Sequence, residues 1–208
     1  MSDHPFTIYV VEDDDWYRKL LQHNLTLNPD YKVEVFDSGE SFLKALKNKP
    51  DVVTLDYKLP DKNGEELLKE IKAYDPAIEV LIISEQNEIE TAVSLLKAGA
   101  YDYITKTEDI RDRLLNVIQH IRKNRSLKTQ IQNLQSEVER KYDFQSSIIG
   151  QSAPMKKVFQ MMEKATTNNI SVIITGETGT GKEMVAKSIH YNSDRAKKPF
   201  IAVNMSAI

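Results

Sequence analysis

Short apolar runs alternate with longer stretches of helical period along the first half of the chain. The clearest runs are residues 8–11, 52–55, 80–83 and 103–104. Runs of this kind between helical stretches are typical of strands buried on both faces of a parallel sheet. The alternation of strand and helix, repeated five times, therefore predicts an α/β domain built on a doubly wound, five-stranded parallel sheet.

The stretches between these runs carry apolar residues at separations of three and four, which is the spacing of amphipathic helices. We expect helices over residues 15–27, 39–47, 64–74 and 88–98, and Gly99 marks the end of the last one. The side chains expected to face the sheet are Trp16, Leu20, Leu25, Phe42, Leu43, Leu46, Leu67, Leu68, Ile71, Ile89, Ala92, Val93 and Leu96.

Polar residues stand at the ends of the apolar runs, namely Glu12, Asp13, Asp56, Ser84 and Lys106. The carboxyl ends of parallel strands lie along one edge of the sheet, so these side chains are expected to share a shallow pocket. Three acids packed together repel one another and invite a divalent cation, and oxygen ligands suit Mg²⁺. Lysine and serine opposite them would meet the oxygens of a phosphoryl group. The pattern predicts a site that places a phosphoryl group on an aspartate.

Each of these residues taken alone also has an ordinary interpretation. The acidic run at residues 12–15 fits a solvated helix start, and Asp56 and Ser84 fit helix or turn caps. Lys106 fits a surface charge, and Tyr103 fits an ordinary strand aromatic. The phosphoacceptor interpretation is favoured because all of them occur together at the ends of successive strands.

Residues 1–122 resemble the receiver domain of two-component response regulators, which implies a flavodoxin-like fold. The resemblance is carried, in family order, by residues 11–14, residues 56–64, Ser84, Tyr103 and Lys106. It implies that Asp56 accepts a phosphoryl group from a histidine kinase. It also implies that Glu12, Asp13 and Asp56 hold Mg²⁺, with the backbone carbonyl of Lys58 as a further ligand.

The same resemblance assigns three more roles. Ser84 would hydrogen-bond the phosphoryl group, and Lys106 would pair with its charge. Tyr103 would be the aromatic that turns inward on activation. The sequence departs from the family pattern at one place, since Thr107 follows Lys106 where the family usually has proline.

A helical linker is predicted over residues 123–143, because residues 109–142 hold no proline or glycine and many charges. Its apolar residues repeat at separations of four and three, which is typical of a coiled-coil seam and predicts a homodimer. The alternative is a solvated helix that lies against a neighbouring domain. The apolar stripe that completes the receiver consists of Leu114, Val117, Ile118 and Ile121. The coiled-coil seam that follows it consists of Leu127, Ile131, Leu134 and Val138.

Residues 176–182 fit the P-loop pattern G-x-x-x-x-G-K. The glycines of such a loop let backbone N–H groups wrap a polyphosphate, and its lysine reaches the outer phosphates. Strands are predicted over residues 171–175 and 200–203, which would give the motif its required context. Glu183 stands where the generic motif has a Mg²⁺-binding serine or threonine.

Glutamate is normal at that position in the AAA+ activators of sigma-54 RNA polymerase, which residues 144–208 resemble. Receiver, linker and this P-loop in that order look like a response regulator of the nitrogen-regulation (NtrC) type, cut within its AAA+ domain. The resemblance implies that ATP binds with its adenine near Ile149 and Gly150. The loop residues implied to hold its phosphates are Gly176, Gly179, Thr180, Gly181, Lys182 and Glu183.

The family's remaining ATPase and DNA-binding elements would lie beyond Ile208. We therefore expect little ATP hydrolysis and no direct DNA binding by these residues, and contact with sigma-54 RNA polymerase only in a full-length form. The net charge of −3 is too weak to indicate a nucleic-acid surface for the whole chain. Cysteine is lacking and no segment has membrane-spanning length, which predicts a cytoplasmic protein. Two other functions remain open, a nucleotide enzyme and a non-catalytic interaction protein formed by a receiver dimer.

Overall fold

The computed structural model of the chain describes residues 5–85, 88–143 and 152–204. Its contacts divide into two units, Met1–Arg125 and Ser126–Ile208. The first unit contains a five-stranded sheet in which every strand pairs in parallel, in the order β2-β1-β3-β4-β5. The strands are β1 (Phe6–Val11), β2 (Tyr31–Phe36), β3 (Val52–Asp56), β4 (Glu79–Ser84) and β5 (Asp102–Thr105).

The strand order confirms the predicted doubly wound fold. From β1 the chain moves outward to β2 and then returns to the other side of β1 with β3, so the direction of winding reverses between β1 and β3. In open α/β sheets the crevice at such a reversal is where ligands bind. Residues that follow β1 and end β3 therefore lie at the functional edge.

Five helices connect and follow these strands. They are α1 (Asp15–Thr26), α2 (Gly39–Ala45), α3 (Gly64–Tyr74), α4 (Ile89–Lys97) and α5 (Ile110–Lys141), and a short 3-10 helix (Leu46–Asn48) follows α2. The Asp14 side chain caps α1 by accepting the Tyr17 N–H, and Asn63 caps α3 in the same way. None of the described helices combines the length and the apolar character needed to cross a bilayer.

Apolar side chains cover both faces of the sheet. Alternate residues of β1 point to opposite faces, so Ile8 and Val10 join one cluster while Tyr9 and Val11 join the other. Phe42 and Leu67 complete the second cluster from α2 and α3. Each fully buried side chain of this kind contributes about 1.5–3 kcal/mol. Burial on both faces explains why the central strands read as continuous apolar runs.

The predicted face of α1 is right at Leu25 and wrong at Trp16, and the predicted face of α4 is wrong at Ile89, Val93 and Leu96. Trp16 is 70% exposed and Leu21 is buried in α1 instead. On α4 the side chain of Ile89 is 78% exposed, and Leu95 is the residue that packs into the core. Val93 and Leu96 are also exposed. Apolar residues occur around most of α4, so their spacing does not select the buried face.

The second unit contains α6 (Ala153–Thr167) and α7 (Lys182–Tyr191), which pack through a small cluster of Met162, Ala165 and Ile189. The predicted strands over 171–175 and 200–203 are not formed in the described residues. Ile173 is 90% exposed and Ile201 is 79% exposed. A strand exists only when a neighbour supplies hydrogen bonds, and neither segment pairs with a neighbour in the described part of this unit.

Candidate functional site

Three carboxylates meet at the reversal point of the sheet. Glu12 and Asp13 directly follow β1, and Asp56 is the last residue of β3. One carboxylate oxygen from each lies within 4.8 Å of the others. Glu12 and Asp56 are buried, whereas Asp13 is exposed. The structure thus brings together the three acids that the sequence predicts as a metal site.

Lys106 bridges two of these carboxylates. Its Nζ donates a hydrogen bond of 2.9 Å to Glu12 Oε1 and one of 3.0 Å to Asp56 Oδ2, and Glu12 Oε2 also lies 2.9 Å away. The lysine follows β5, and its backbone N–H donates to the carbonyl of Ser84 at 2.8 Å. A strand-end hydrogen bond therefore fixes the base of the side chain that reaches the acids.

Charge and burial oppose each other in this cluster. Burial raises the pKa of Glu12 to about 7, and the nearby Asp56 carboxylate adds to the rise against the hydrogen bond from Lys106. Burial would lower the pKa of Lys106, but its hydrogen bonds to Glu12 and Asp56 outweigh this and raise the pKa. Two buried acids share one cation, so the pair remains short of positive charge.

The donor set fits Mg²⁺. All candidate side-chain ligands are oxygens, and the two buried acids, Glu12 and Asp56, both lie against the single ammonium of Lys106. Magnesium prefers one or two carboxylates together with water, and an exposed Asp13 leaves one side open to solvent. A divalent cation would thus supply positive charge that one ammonium does not provide for three acids.

The loop after β3 is folded tightly beside Asp56. The Lys58 N–H donates to Asp56 Oδ1 at 3.2 Å, and the Gly64 N–H donates to the Tyr57 carbonyl at 2.9 Å. A Cβ on Gly64 would stand 2.8 Å from Tyr57 Cα and 2.9 Å from the Asp56 carbonyl oxygen. Only glycine allows α3 to begin this close to the phosphoacceptor candidate. The role of the Lys58 carbonyl as a ligand stays a prediction.

Ser84 and Tyr103 lie on neighbouring strands of the same sheet. Ser84 ends β4, is buried and is paired in register with Thr105 of β5. Tyr103 is half-buried on β5 and packs against the cluster that contains Leu95. Tyr103 lies on β5, the strand that directly precedes Lys106, and Ser84 lies on the neighbouring strand β4. Their contacts with a phosphoryl group remain predictions.

Tyr17 is a residue of the site that the sequence interpretation missed. The ammonium of Lys106 lies 4.4 Å from the centroid of its ring, within the range of a cation–π contact. Its hydroxyl is buried and has no hydrogen-bond partner in the described residues. Burial, followed by the carboxylates of Glu12 and Asp56, raises the pKa of this hydroxyl. Tyr17 lies in the first turn of α1, four residues after Asp13, and no local sequence pattern marks it as a residue of the site.

The predicted P-loop ends at the N-terminus of α7. Gly179 and Gly181 adopt φ values of 85° and 84°, a conformation that favours glycine, and Gly181 directly precedes α7. Lys182 Nζ donates to the carbonyls of Gly176 and Glu177, at 2.9 and 2.6 Å. The loop thus leads into a helix N-terminus, where backbone N–H groups attract anions.

Two further loop residues are held within the second unit. The Thr180 hydroxyl donates to the Glu177 carbonyl at 2.7 Å, and Glu183 forms an ion pair of 2.6 Å with Lys187 one turn along α7. The predicted adenine contacts at Ile149 and Gly150 lie outside the described residues. The structure therefore describes the P-loop of the predicted nucleotide site and not its predicted adenine contacts.

Two family models match this sequence. The response regulator receiver domain matches residues 8–119, and the Sigma-54 interaction domain matches residues 148–208. The chain belongs to the response regulators. The order of its two domains is that of the NtrC-type sigma-54 activators, as the sequence predicted.

Known relatives share this arrangement. The response regulator is 36% identical over 204 residues to the DNA-binding transcriptional regulator NtrC of Klebsiella pneumoniae, covering 96% of this chain and 41% of that protein. It is 33% identical to NtrX from Brucella abortus, solved in complex with ATP, with a TM-score of 0.58 and coverage of 99% and 44%. It is 30% identical to the BeF3-activated receiver domain of DrrB, with a TM-score of 0.54 and coverage of 58% and 99%. The chain spans less than half the length of NtrC and NtrX.

Proposed function

We propose that this chain accepts a phosphoryl group on Asp56 from a histidine kinase and thereby controls sigma-54-dependent transcription through its AAA+ part. The observation that carries the proposal is the bridge from Lys106 to both Glu12 and Asp56 at the reversal point of the sheet. The Asp56 carboxylate, the Glu12 carboxylate and the Lys106 ammonium lie within hydrogen-bond reach of one another, which supports their proposed roles as phosphoacceptor, metal ligand and phosphoryl-binding cation. Membership of the response regulator family supports the same role.

In the transfer step an oxygen of Asp56 attacks the phosphorus of a phosphohistidine. A bond forms between that oxygen and phosphorus, the P–N bond breaks, and its electron pair stays with the imidazole of the kinase. Glu12, Asp13, Asp56 and the Lys58 carbonyl would hold Mg²⁺, which supplies charge neutralisation for the phosphoryl oxygens. Lys106 donates to a phosphoryl oxygen in place of its present bond to Asp56.

The acyl phosphate would then change one face of the receiver. Ser84 and Lys106 are drawn to the phosphoryl oxygens, and Tyr103 turns inward on β5. The face affected is formed by α4, β5 and α5, and it already presents exposed side chains of Ile89 and Val93. Phosphorylation thus biases a two-state surface that other parts of the protein read.

We further propose that α5 extends beyond the receiver as a dimerisation helix. It runs without interruption from Ile110 to Lys141, and Leu127, Ile131 and Leu134 are 47%, 55% and 61% exposed. An exposed apolar stripe at these separations is suited to a second copy of the same helix. The organisation proposed is a receiver over residues 1–122, a linker over 123–143 and the start of the AAA+ domain over 144–208.

Two contacts favour the alternative in which the linker lies against its neighbouring domain. The rings of Tyr142 and Tyr191 stack with centroids 5.0 Å apart and planes 14° from parallel. Asn192 Nδ2 also donates to the Tyr142 carbonyl at 2.8 Å. These contacts hold the end of the linker on α7, and they leave Leu127 and Ile131 exposed. The end of the linker can therefore be held on α7 while the rest of the linker pairs with the same helix of a second chain.

For the second unit we propose that the loop from Gly176 to Glu183 holds the phosphates of ATP. The NtrX complex with ATP supports this assignment. Titration of Mg-ATP by calorimetry should show saturable binding that Lys182→Ala removes, while Lys197→Ala, a change of an exposed lysine outside the loop, should retain it. Equal binding by the Lys182→Ala protein would reject the assignment. Contact with sigma-54 RNA polymerase is proposed only for a full-length form.

The phosphoacceptor role is tested with a small phosphodonor and radiolabelled phosphate. The wild-type chain should be labelled in the presence of Mg²⁺, and Asp56→Asn should abolish labelling. Lys106→Ala should still accept label but should uncouple it from any change in assembly. Labelling that survives Asp56→Asn would overturn the proposed function.

A further inference from the structure

The ring of Tyr17 faces the ammonium group that bridges the two buried acids. The distance from Lys106 Nζ to the ring centroid is 4.4 Å, and the same Nζ lies 2.9 Å from Glu12 and 3.0 Å from Asp56. The ring is therefore a third group in contact with this ammonium, after the two carboxylates, and it is supplied by α1 rather than by a strand end. An aromatic face attracts a cation through its quadrupole and does so more strongly when water is excluded.

The backbone of Tyr17 is fixed by the start of α1. Its N–H donates to Asp14 Oδ1 at 2.7 Å, which is the capping bond of the helix. Arg18, the next residue, donates through Nη1 to the carbonyls of Glu12 at 2.8 Å and Asp13 at 3.1 Å. The turn that carries the metal-binding acids and the turn that carries the ring are thus tied together by three hydrogen bonds.

The hydroxyl of Tyr17 does not explain why the ring is there. It is buried without a hydrogen-bond partner in the described residues, and an unpartnered buried hydroxyl is a cost to the fold. The ring packs against the apolar cluster that contains Ile8 and Leu21, and its contact with Lys106 is the interaction that it makes with a charged group of the site. The neighbouring Trp16, by contrast, is 70% exposed.

We propose that Tyr17 is a positioning residue for phosphoryl transfer, whose ring holds the Lys106 ammonium against the acceptor carboxylate. The proposal rests on the proposed function of Asp56. A ring face has no hydrogen-bond direction, so the ammonium can exchange its bond to Asp56 for one to a phosphoryl oxygen while the ring contact persists. Lys106 then remains at the site through both states.

The first experiment compares rates of labelling by acetyl phosphate. Tyr17→Leu removes the ring and should slow labelling by about 3- to 10-fold, the range expected for loss of one cation–π contact. Tyr17→Phe keeps the ring and should retain the wild-type rate, because the hydroxyl makes no bond that would be lost. Tyr74→Leu, a change of an exposed tyrosine at the end of α3, is the control and should leave the rate unchanged. A wild-type rate for Tyr17→Leu would overturn the proposal.

The second experiment asks whether the effect passes through Lys106. In a Lys106→Ala background, Tyr17→Leu should cause no further loss of rate. An equal loss in both backgrounds would show a general structural role and would overturn the proposal. Asp56→Asn serves as the reference for the proposed function. Labelling that survives Asp56→Asn would reject the phosphoacceptor role itself. Labelling that Asp56→Asn abolishes, together with additive effects of the Tyr17 and Lys106 variants, would reject only the role of Tyr17.

A third measurement separates the electrostatics of the ring from its shape, and it holds even if Tyr17→Leu folds poorly. Tyr17→pentafluorophenylalanine keeps the size of the Phe variant but reverses the charge distribution of the ring face. The labelling rate should fall relative to Tyr17→Phe, while the free energy of unfolding in urea should change little. Equal rates for the two variants would contradict a cation–π role.

Discussion

The ammonium nitrogen of Lys106 lies 2.9 Å from a carboxylate oxygen of Glu12, a residue 94 positions earlier in the chain. The same nitrogen lies 3.0 Å from Asp56 Oδ2. This single cation therefore joins the ends of β1, β3 and β5 across the reversal point of the sheet. The contact would serve stability and chemistry together, because the side chains that hold the strand ends are those proposed to hold Mg²⁺, to accept the phosphoryl group and to pair with its charge.

Lys106→Met should destabilise the metal-free receiver. Removing one partner of a buried ionic cluster leaves uncompensated charge, and the expected loss is about 3 kcal/mol in the free energy of unfolding. The loss should be larger at pH 8 than at pH 5.5, because Glu12, whose pKa is about 7, takes up a proton at the lower pH. Urea denaturation at both pH values measures it. A loss of equal size at the two pH values would show that Glu12 does not carry the charge concerned.

Mg²⁺ affinity should depend on pH through Glu12. Burial raises the pKa of Glu12 from its ordinary value of 4.5 to about 7, so the folded, metal-free protein holds an extra proton between these values. Its stability from this group therefore falls as pH rises from 4.5 to 7 and levels off above 7. Because a metal ligand must be deprotonated, affinity should fall about tenfold per pH unit below 7. Calorimetric titration of Mg²⁺ from pH 8 to pH 5.5 tests this, and Glu12→Gln should flatten the profile.

Gly64→Ala should destabilise the receiver and disturb the site. The added Cβ would meet backbone atoms of Tyr57 and Asp56 at under 3 Å, and backbone there cannot yield without moving the phosphoacceptor candidate. We expect a loss of about 1–3 kcal/mol in the free energy of unfolding, together with weaker Mg²⁺ binding. Gly39→Ala is the control, because its Cβ would chiefly meet the flexible end of Leu67. Equal losses for the two variants would contradict this explanation.

Leu134→Glu should weaken self-association. Leu134 is 61% exposed in the single chain and lies on the apolar stripe of the linker, so a charge there opposes pairing of two helices. Sedimentation velocity should show a dimer for the wild-type chain and a monomer for the variant. Gln135→Glu, one residue along on the same helix, should leave the dimer intact. A wild-type monomer at all accessible concentrations would contradict the dimer proposal.

Much of the receiver could be predicted because its signals reinforce one another. The strands of the sheet are buried on both faces, so their apolar runs are unambiguous, and Glu12 and Asp56 stand directly at the ends of β1 and β3. Parallel topology then brings those ends together whatever the details of the helices. The P-loop could also be recognised from its glycines, because their positive φ values are adopted by few other residue types.

The remaining features depend on tertiary contacts that periodicity does not encode. Trp16 and Leu21 are both apolar residues of α1, and only packing against the sheet decides which of them is buried. Tyr17 was missed because a cation–π partner on a distant strand end leaves no local pattern. The segment at 171–175 has strand-like composition, but strand formation requires a paired neighbour that the described residues do not provide.

The central claim is that Asp56 carries the phosphoryl group, and chemical trapping of the acyl phosphate tests it most directly. The chain is phosphorylated with acetyl phosphate and Mg²⁺, reduced with borohydride to convert aspartyl phosphate to homoserine, digested and sequenced by mass spectrometry. We expect homoserine at position 56 and retained aspartate at position 13. Homoserine at another acid, or at none after stoichiometric labelling, would contradict it.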